Sequence, residues 1–441
     1  MRKKIIILLV MALFTASCQF DKGAKEGGKV LPEATKEETE QIQKDMDVTK
    51  AMDTLSKGVN QFSYALYDGL ENGKNLCISP YSIVSALSML DNGADGNTKK
   101  EIEKALGIED ITVQNQVLQK YADIQKQKGI KFYWANSVWV SKEVLLEDNS
   151  EKDFFQPLQQ FYHADKHYQP LDTVDTMNQV NNWVSKETKG MLDNLLLEPL
   201  NPETKILLLN ALYFQGEWKD SFVNEGDKMQ FHGSKGETMV PKMQLDDISL
   251  KYIKKYGLKG VEIPYKDDAF AMDVFLPEQE EASAIFIFQD LKQEEKNNLF
   301  EEFEKVEKQQ IQMVIMPKFT TEYSVDSNQL IDVLKGMGIT DAFSDEKADF
   351  SKISTSFSYY VNKILHKTKI EVQEKGTEAA AVTAVIMTNG CGVLAEDELI
   401  FLVNQPFLYA IRDTETGMIL FLGSVQDFDV QSFPGHTIEE K

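Results

Sequence analysis

The chain predicts a single mixed α+β domain, and three features of its order point there. Apolar residues at helical spacing open the folded part, at Leu55, Val59, Phe62, Leu66 and Leu70. Short β-competent runs fill the later part, such as Val261-Glu262-Ile263-Pro264-Tyr265 and Met272 to Pro277. No internal repeat divides the chain, although 441 residues would by default make two or three domains. A hydrophobic content of 42% is enough to build a core of that size.

The N-terminus is a separate matter. Met1-Arg2-Lys3-Lys4 is basic, Ile5 to Phe14 is apolar but too short to span a bilayer, and Thr15-Ala16-Ser17-Cys18 offers small residues before a cleavage point. This is similar to a bacterial lipoprotein signal, with residues 1–17 removed and Cys18 becoming the lipid-carrying first residue. Thr15 departs from the bulky aliphatic usual at that place, and ordinary secretion with Cys18 lost is the alternative. The expected location is the cell envelope, lipid-anchored to a bacterial membrane, at the outer membrane or cell surface. Residues 18–48 are poor in apolar positions and read as a tether, disordered or partly helical, that holds residues 49–428 off the membrane. Residues 429–441 form a tail.

Losing Arg2, Lys3 and Lys4 moves the formal charge from −23 to −26, because three positive charges leave. A body this acidic repels nucleic acid and anionic lipid, so neither is an expected partner of the domain. No long basic cluster offers a heparin-type activating site. Only Cys77, in an apolar run, and Cys391 remain beyond Cys18, so no disulfide framework is expected.

Taken in order, the domain begins with the helix through Leu70. Asn75-Leu76-Cys77-Ile78 is a short buried strand, and Ser79-Pro80 is an N-cap followed by proline at the first helical position, with Ile83, Leu87 and Leu90 facing inward. Thr98-Lys99-Lys100-Glu101 reads as a capping box, and Gly107 suits the end of its helix. Phe132 to Val140 reads as a strand, Phe154 to Tyr162 and Val180 to Thr188 as helices, and Ile206 to Phe214 as an apolar run interrupted only by Asn210. Leu299, Phe300, Phe303 and Val306 mark an amphipathic helix.

Asn362 to Val372 alternate, with Ile364, His366, Thr368, Ile370 and Val372 on one face. Directly after comes a second strand-competent run. From Thr377 to Thr388 there is no proline, one charge, and only small or β-branched side chains apart from Met387. The two runs meet at Gly376, which tolerates φ > 0, and the next apolar strand begins only at Leu399. With Thr377 inward, one face of the second run is Thr377, Ala379, Ala381, Thr383, Val385 and Met387, so no charge is buried and Glu378 points outward.

Glu374-Lys375-Gly376-Thr377-Glu378-Ala379-Ala380-Ala381 resembles the hinge of the inhibitory serpins. The resemblance extends to Ser79-Pro80-Tyr81-Ser82, Ala86-Leu87, Met89, Gly93-Ala94 and Gly96, to Met316-Pro317-Lys318-Phe319, and to Asn404-Gln405-Pro406-Phe407, covering about residues 50 to 428. It implies the serpin fold: about three β-sheets, eight or nine helices and an exposed reactive-centre loop. It also implies a monomeric suicide-type protease inhibitor. A protease would cleave the loop, and residues 377–388 would enter the central sheet and trap the acyl-enzyme. Counting as inhibitory members do puts the cut between Gly390 and Cys391. The segment from Cys391 to Asn404 is longer than usual, so Asn389 and Leu394 stay open as cleavage positions. Small Gly390 suits elastase-like or subtilisin-like serine proteases. Papain-like enzymes fit less well, and a non-inhibitory surface lipoprotein with a binding role is the other reading. Five positions are expected to guard the opening of the sheet: Ser79, Ser82, Asn210, Trp218 and His366.

Enzyme chemistry finds little support. The sequence has no Gly-x-Ser-x-Gly, no His-Glu-x-x-His and no phosphate-cradling glycine loop, so neither catalytic residues nor a cofactor are expected. His163 and His167, four apart with Asp165 between, would share a helix face, but one pair is a weak metal signal and no metal is expected. Cys391 has Glu396, Asp397 and Glu398 after it and no cation to lower its pKa, which disfavours a reactive thiol.

Overall fold

The computed structural model describes residues 36–127, 131–144, 146, 150–223, 226–325, 327–355, 359–361, 363–377 and 399–429. The described residues divide between Asp47 and Val48 into two units. Nine α-helices are present among the described residues: α1 Lys36–Leu70, α2 Pro80–Gly93, α3 Gly96–Leu106, α4 Ile111–Gln127, α5 Gln156–Tyr162, α6 Val174–Glu187, α7 Ala284–Asp290, α8 Gln293–Lys305 and α9 Ser327–Gly336. None of them is long and apolar enough to cross a membrane.

The strands are β1 Leu76–Ile78, β2 Lys131–Val140, β3 Asp165–Tyr168, β4 Ile206–Glu217, β5 Lys228–Gly233, β6 Gly236–Lys255, β7 Leu258–Pro264, β8 Phe270–Pro277, β9 Lys308–Pro317, β10 Phe319–Ser324, β11 Lys367–Gln373, β12 Gly376–Thr377, β13 Ile400–Leu402, β14 Phe407–Asp413 and β15 Ile419–Val425. They form three sheets, two of which share β6. One runs β5-β6-β9-β13 and the other β6-β7-β8-β14-β15-β1. The β6–β9 ladder steps over Asp247, whose φ is +48, as a bulge does where a strand turns from one sheet to the next. The third sheet has the order β10-β11-β12-β4-β2-β3.

Local chemistry explains most boundaries. Ser79 caps α2 by accepting from the Ser82 amide, with Pro80 behind it, and Gly107 ends α3 in the left-handed region at φ +67. The capping box expected at Thr98 is not there. Asp95 caps α3 instead, Thr98 lies buried inside the helix with its Oγ1 accepting from the Asp349 amide, and Glu101 accepts from the amides of Thr340 and Asp341. A tertiary contact has claimed both box residues. The shared helix face of His163 and His167 is also absent. His163 closes α5 with φ +50, while His167 lies on β3 with its ring stacked 3.8 Å from Trp139.

Two apolar clusters hold the fold. The larger joins α1, α2 and the strands of all three sheets. The smaller gathers Trp139, Val180, Trp183, Leu192, Leu196, Leu207 and Leu209 on the outer face of β2 and β4, beneath α6 and the segment that follows it.

Candidate functional site

The six-stranded sheet is split. On one side β4 pairs antiparallel with β2 along Ile206 to Gln215, and on the other β11 pairs with β10 along its first six residues. Among the described residues, β12 alone lies between β4 and β11, two residues long: Gly376 opposite Glu217 and Gln373, Thr377 opposite Gly216 and Val372. Below Thr377 no described strand joins the facing edges of β4 and β11. The sequence expects a strand from Asn362, but regular pairing starts at Lys367, because β10 ends opposite it and no described strand supports residues 363–366.

Beneath this split is a cavity of about 430 Å³. Its walls are Ile206, Leu208 and Asn210 from β4, Ile364 and His366 from the approach to β11, and Ser82, Leu87 and Leu90 from α2. The even-numbered face of β4 lines it, while Leu207 and Leu209 face the opposite side, as a period of two requires.

The five positions expected to guard the opening fall into two groups. At the cavity, the Ser79 amide donates to His366 Nε2 at 3.3 Å, and Ser79 Oγ donates to the Leu420 carbonyl at 2.9 Å. Ser82 Oγ donates to Asn210 Oδ1, and Asn210 Nδ2 donates to Asn136 Oδ1 at 2.6 Å. Burial pushes His366 down to about 4, so the ring is neutral at physiological pH and its accepting Nε2 leaves the proton on Nδ1. Asn136, which donates on to the Tyr162 carbonyl at 2.8 Å, completes the chain. Its signal was a polar residue on the same strand face as an apolar run, the cue that singles out Asn210.

Trp218 belongs to the second group, at the top of the split. Its Nε1 donates to the Gln373 carbonyl at 2.8 Å, and its backbone amide donates to the Lys375 carbonyl at 2.9 Å. Tyr265 stacks on the indole at 4.4 Å and shares a 2.7 Å hydrogen bond with Thr377 Oγ1. Lys318 Nζ holds the Glu374 carboxylate at 2.5 Å. Gly376 admits no substitute, because an added Cβ would stand 2.0 Å from the Gly216 carbonyl oxygen. Tyr265 and Lys318 escape a reading of the sequence, since both look like ordinary strand residues until the chain folds.

Gly376 and Thr377 are therefore built into the sheet, and Glu374 stands in the turn that leads to them. The remaining hinge positions Glu378, Ala379, Ala380 and Ala381, the scissile candidates Asn389, Gly390, Cys391 and Leu394, and the lipidation candidate Cys18 lie outside the described residues. Among the described residues no group of three or more His, Cys, Asp or Glu is placed to hold a metal.

Comparison with known proteins agrees with this geometry. The family model described as Serpin (serine protease inhibitor) matches residues 57–428. The leukocyte elastase inhibitor of Xenopus tropicalis is 33% identical over 395 residues, covering 84% of this chain and 99% of that protein. Intracellular coagulation inhibitor 2 of Tachypleus tridentatus is 32% identical over 392 residues, covering 86% and 92%. Among solved structures, the thermophilic serpin Tengpin in the native state superposes with a TM-score of 0.72 at 31% identity, covering 84% of this chain and 93% of that one.

Proposed function

This chain belongs to the serpin family, and we propose that within it the protein acts as a suicide-type protease inhibitor. The observation that carries the reading is the register of β12. Its two residues pair antiparallel with both β4 and β11, so the ladder has only one continuation. Extended downward, it sets Thr383 opposite Asn210 and His366, Val385 opposite Leu208 and Ile364, and Met387 opposite Ile206. Those are the walls of the cavity. The predicted inward face of the hinge run thus meets an apolar space of matching position, and β4 is long enough to pair as far as residue 387.

The chemistry follows from a serine protease acting on the loop. Its serine oxygen attacks the Gly390 carbonyl, the Gly390–Cys391 bond breaks, and the Cys391 amine leaves with a proton from the protease's histidine. The Gly390 ester remains. Residues 377–388 then enter the sheet, carrying the protease about 40 Å at ~3.3 Å per residue. Displacement of reacting groups on the ångström scale costs about 100-fold in rate, so the acyl-enzyme stalls before hydrolysis. Insertion adds ladder hydrogen bonds and buries Val385 and Met387, each contributing about 1.5–3 kcal/mol. The small Gly390 favours elastase-like or subtilisin-like serine proteases as targets. We further propose that acylated Cys18 holds the inhibitor at a bacterial envelope, which the intact mass of the mature chain checks.

Incubation with an elastase-like protease tests the trap. A covalent complex that survives denaturing electrophoresis is expected, and the nicked protein should melt at least about 10 °C above the intact form. A nicked form that melts no higher, with every protease left active, would overturn the reading.

A further inference from the structure

The cavity under the split has two unlike parts. At its upper end the polar groups satisfy one another: Ser82 Oγ donates to Asn210, Asn210 donates to Asn136, and His366 Nε2 accepts from the Ser79 amide. Below them the walls are apolar, with Leu87 and Leu90 from α2, Ile206 and Leu208 from β4, and Phe350 and Ile353 from the segment after α9. Two lysines line this lower part, Lys205 at the foot of β4 and Lys363 on the approach to β11. Lys205 is engaged, because its Nζ pairs with Glu143 and donates to the Pro202 carbonyl at 2.8 Å. Lys363 is half-buried and has no carboxylate partner among the described residues. Of the lining carboxylates, Glu143 is taken by Lys205 and Glu203 is exposed to water. The unanswered charge that lies partly inside is therefore positive.

We propose that this cavity binds a single-chain carboxylate of the fatty-acid class, its chain along the apolar walls and its carboxylate on Lys363. Size, wall chemistry and charge agree on that ligand. A volume of about 430 Å³ falls within the range of small-molecule pockets, roughly 300–1,000 Å³. The apolar walls reward an acyl chain by removing its methylenes from water, and the satisfied upper end asks nothing polar of the chain's tip. A half-buried ammonium without a partner is costly, and a carboxylate answers it with a charge-assisted hydrogen bond. An amine at the head of the same chain would meet Lys363 as a like charge. The proposal rests on the inhibitor reading above for its consequence alone. A chain in this cavity and a strand inserted over it exclude each other, so bound ligand slows trapping of the protease.

Decanoate below its micelle concentration is the probe, with decanol and decylamine as head-group controls. Calorimetry on the intact protein should find one decanoate per chain, at least about tenfold tighter than decanol, with decylamine weakest. Octanoate should bind more weakly than decanoate by about fourfold for each missing methylene. Lys363→Gln should bring decanoate down to the affinity of decanol and leave decanol unchanged. Saturating decanoate should slow covalent complex formation, and the nicked protein should no longer bind it. Unsaturable binding, a preference for decylamine, or decanoate affinity untouched by Lys363→Gln overturns the proposal. So does nicked protein that has gained thermal stability and still binds decanoate, because the ligand then sits elsewhere. Nicked protein that gains no stability and keeps its decanoate supports the ligand site and sinks the inhibitor reading, so the two failures are told apart.

Discussion

Two parts of this molecule use the same kind of strand to opposite ends. In the sheet around β8, β14 and β15, every residue of those three strands is buried, and each strand has a partner on both sides. Its buried charges are resolved internally: Arg412 bonds Asp273 at 2.8 Å and Glu262 at 2.7 Å, Glu262 is also paired with Lys251 at 2.8 Å, and Asp413 accepts from the Glu415 amide at 2.8 Å. Arg412 and Lys251 together answer Asp273 and Glu262. In the six-stranded sheet, β4 and β11 also turn apolar residues inward, yet among the described residues β12 alone joins their facing edges, at the top. On the proposed mechanism the first region has collected the stabilisation its strands offer and the second defers it, and such a metastable inhibitor needs both, since a rigid body must hold the unfinished sheet apart.

Four substitutions or titrations sharpen that contrast. The largest effect is expected from Gly376→Val. A β-branched side chain cannot stand where Cβ alone would lie 2.0 Å from the Gly216 oxygen, so β12 is expelled. More than about 5 kcal/mol of insertion energy at that step is lost. The measurement is covalent complex with an elastase-like protease, which should disappear while the intact protein stays folded. Next comes Arg412→Met in the finished region, which strands Asp273 in the core and leaves Glu262 with Lys251 alone. A drop of about 3–5 kcal/mol in urea unfolding is expected, with the complex-forming fraction of the folded protein unchanged. A change in that fraction would break the division drawn here.

Acid should act on the split. His366 has its pKa lowered from 6.5 to about 4 by burial, so the unfolded chain binds its proton first. The stability it preserves is complete above about pH 6.5 and is lost as pH falls toward 4, amounting to about 3 kcal/mol. Urea midpoints from pH 7.5 to 4.5 should therefore fall more steeply for the wild type than for His366→Gln, and parallel curves would count against it. The smallest effect belongs to the Tyr265–Thr377 hydrogen bond. A double-mutant cycle of Tyr265→Phe and Thr377→Val should give a coupling of about 1 kcal/mol.

Much of this was legible in the chain. Alternation in Thr368, Ile370 and Val372 gave the buried face of β11, and Ser79-Pro80 gave the start of α2, because both signals depend on neighbours within a few residues. Asn210 and His366 stood out as polar residues on apolar faces that had to find partners. Misreadings came where a distant contact outbid a local one. Thr98 and Glu101 carry a capping pattern, but Asp349, Thr340 and Asp341 use their side chains instead. His163 and His167 have helical spacing, but the helix stops at Tyr162 with His163 left-handed at its end, and His167 lies on β3.

What the sequence by itself determined is the supply: a hinge run with no proline and no buried charge, strands with one apolar face, and a polar residue wherever a lock is needed. Those properties are carried by side-chain type and a period of two or 3.6 residues. Only the tertiary structure decided where the strands stop pairing. The split between β4 and β11 among the described residues and the cavity of about 430 Å³ under it depend on contacts between residues more than a hundred positions apart. A strand's sequence specifies which face is buried, but its edges are made of the same backbone amides everywhere, so nothing local marks the edge that is left open.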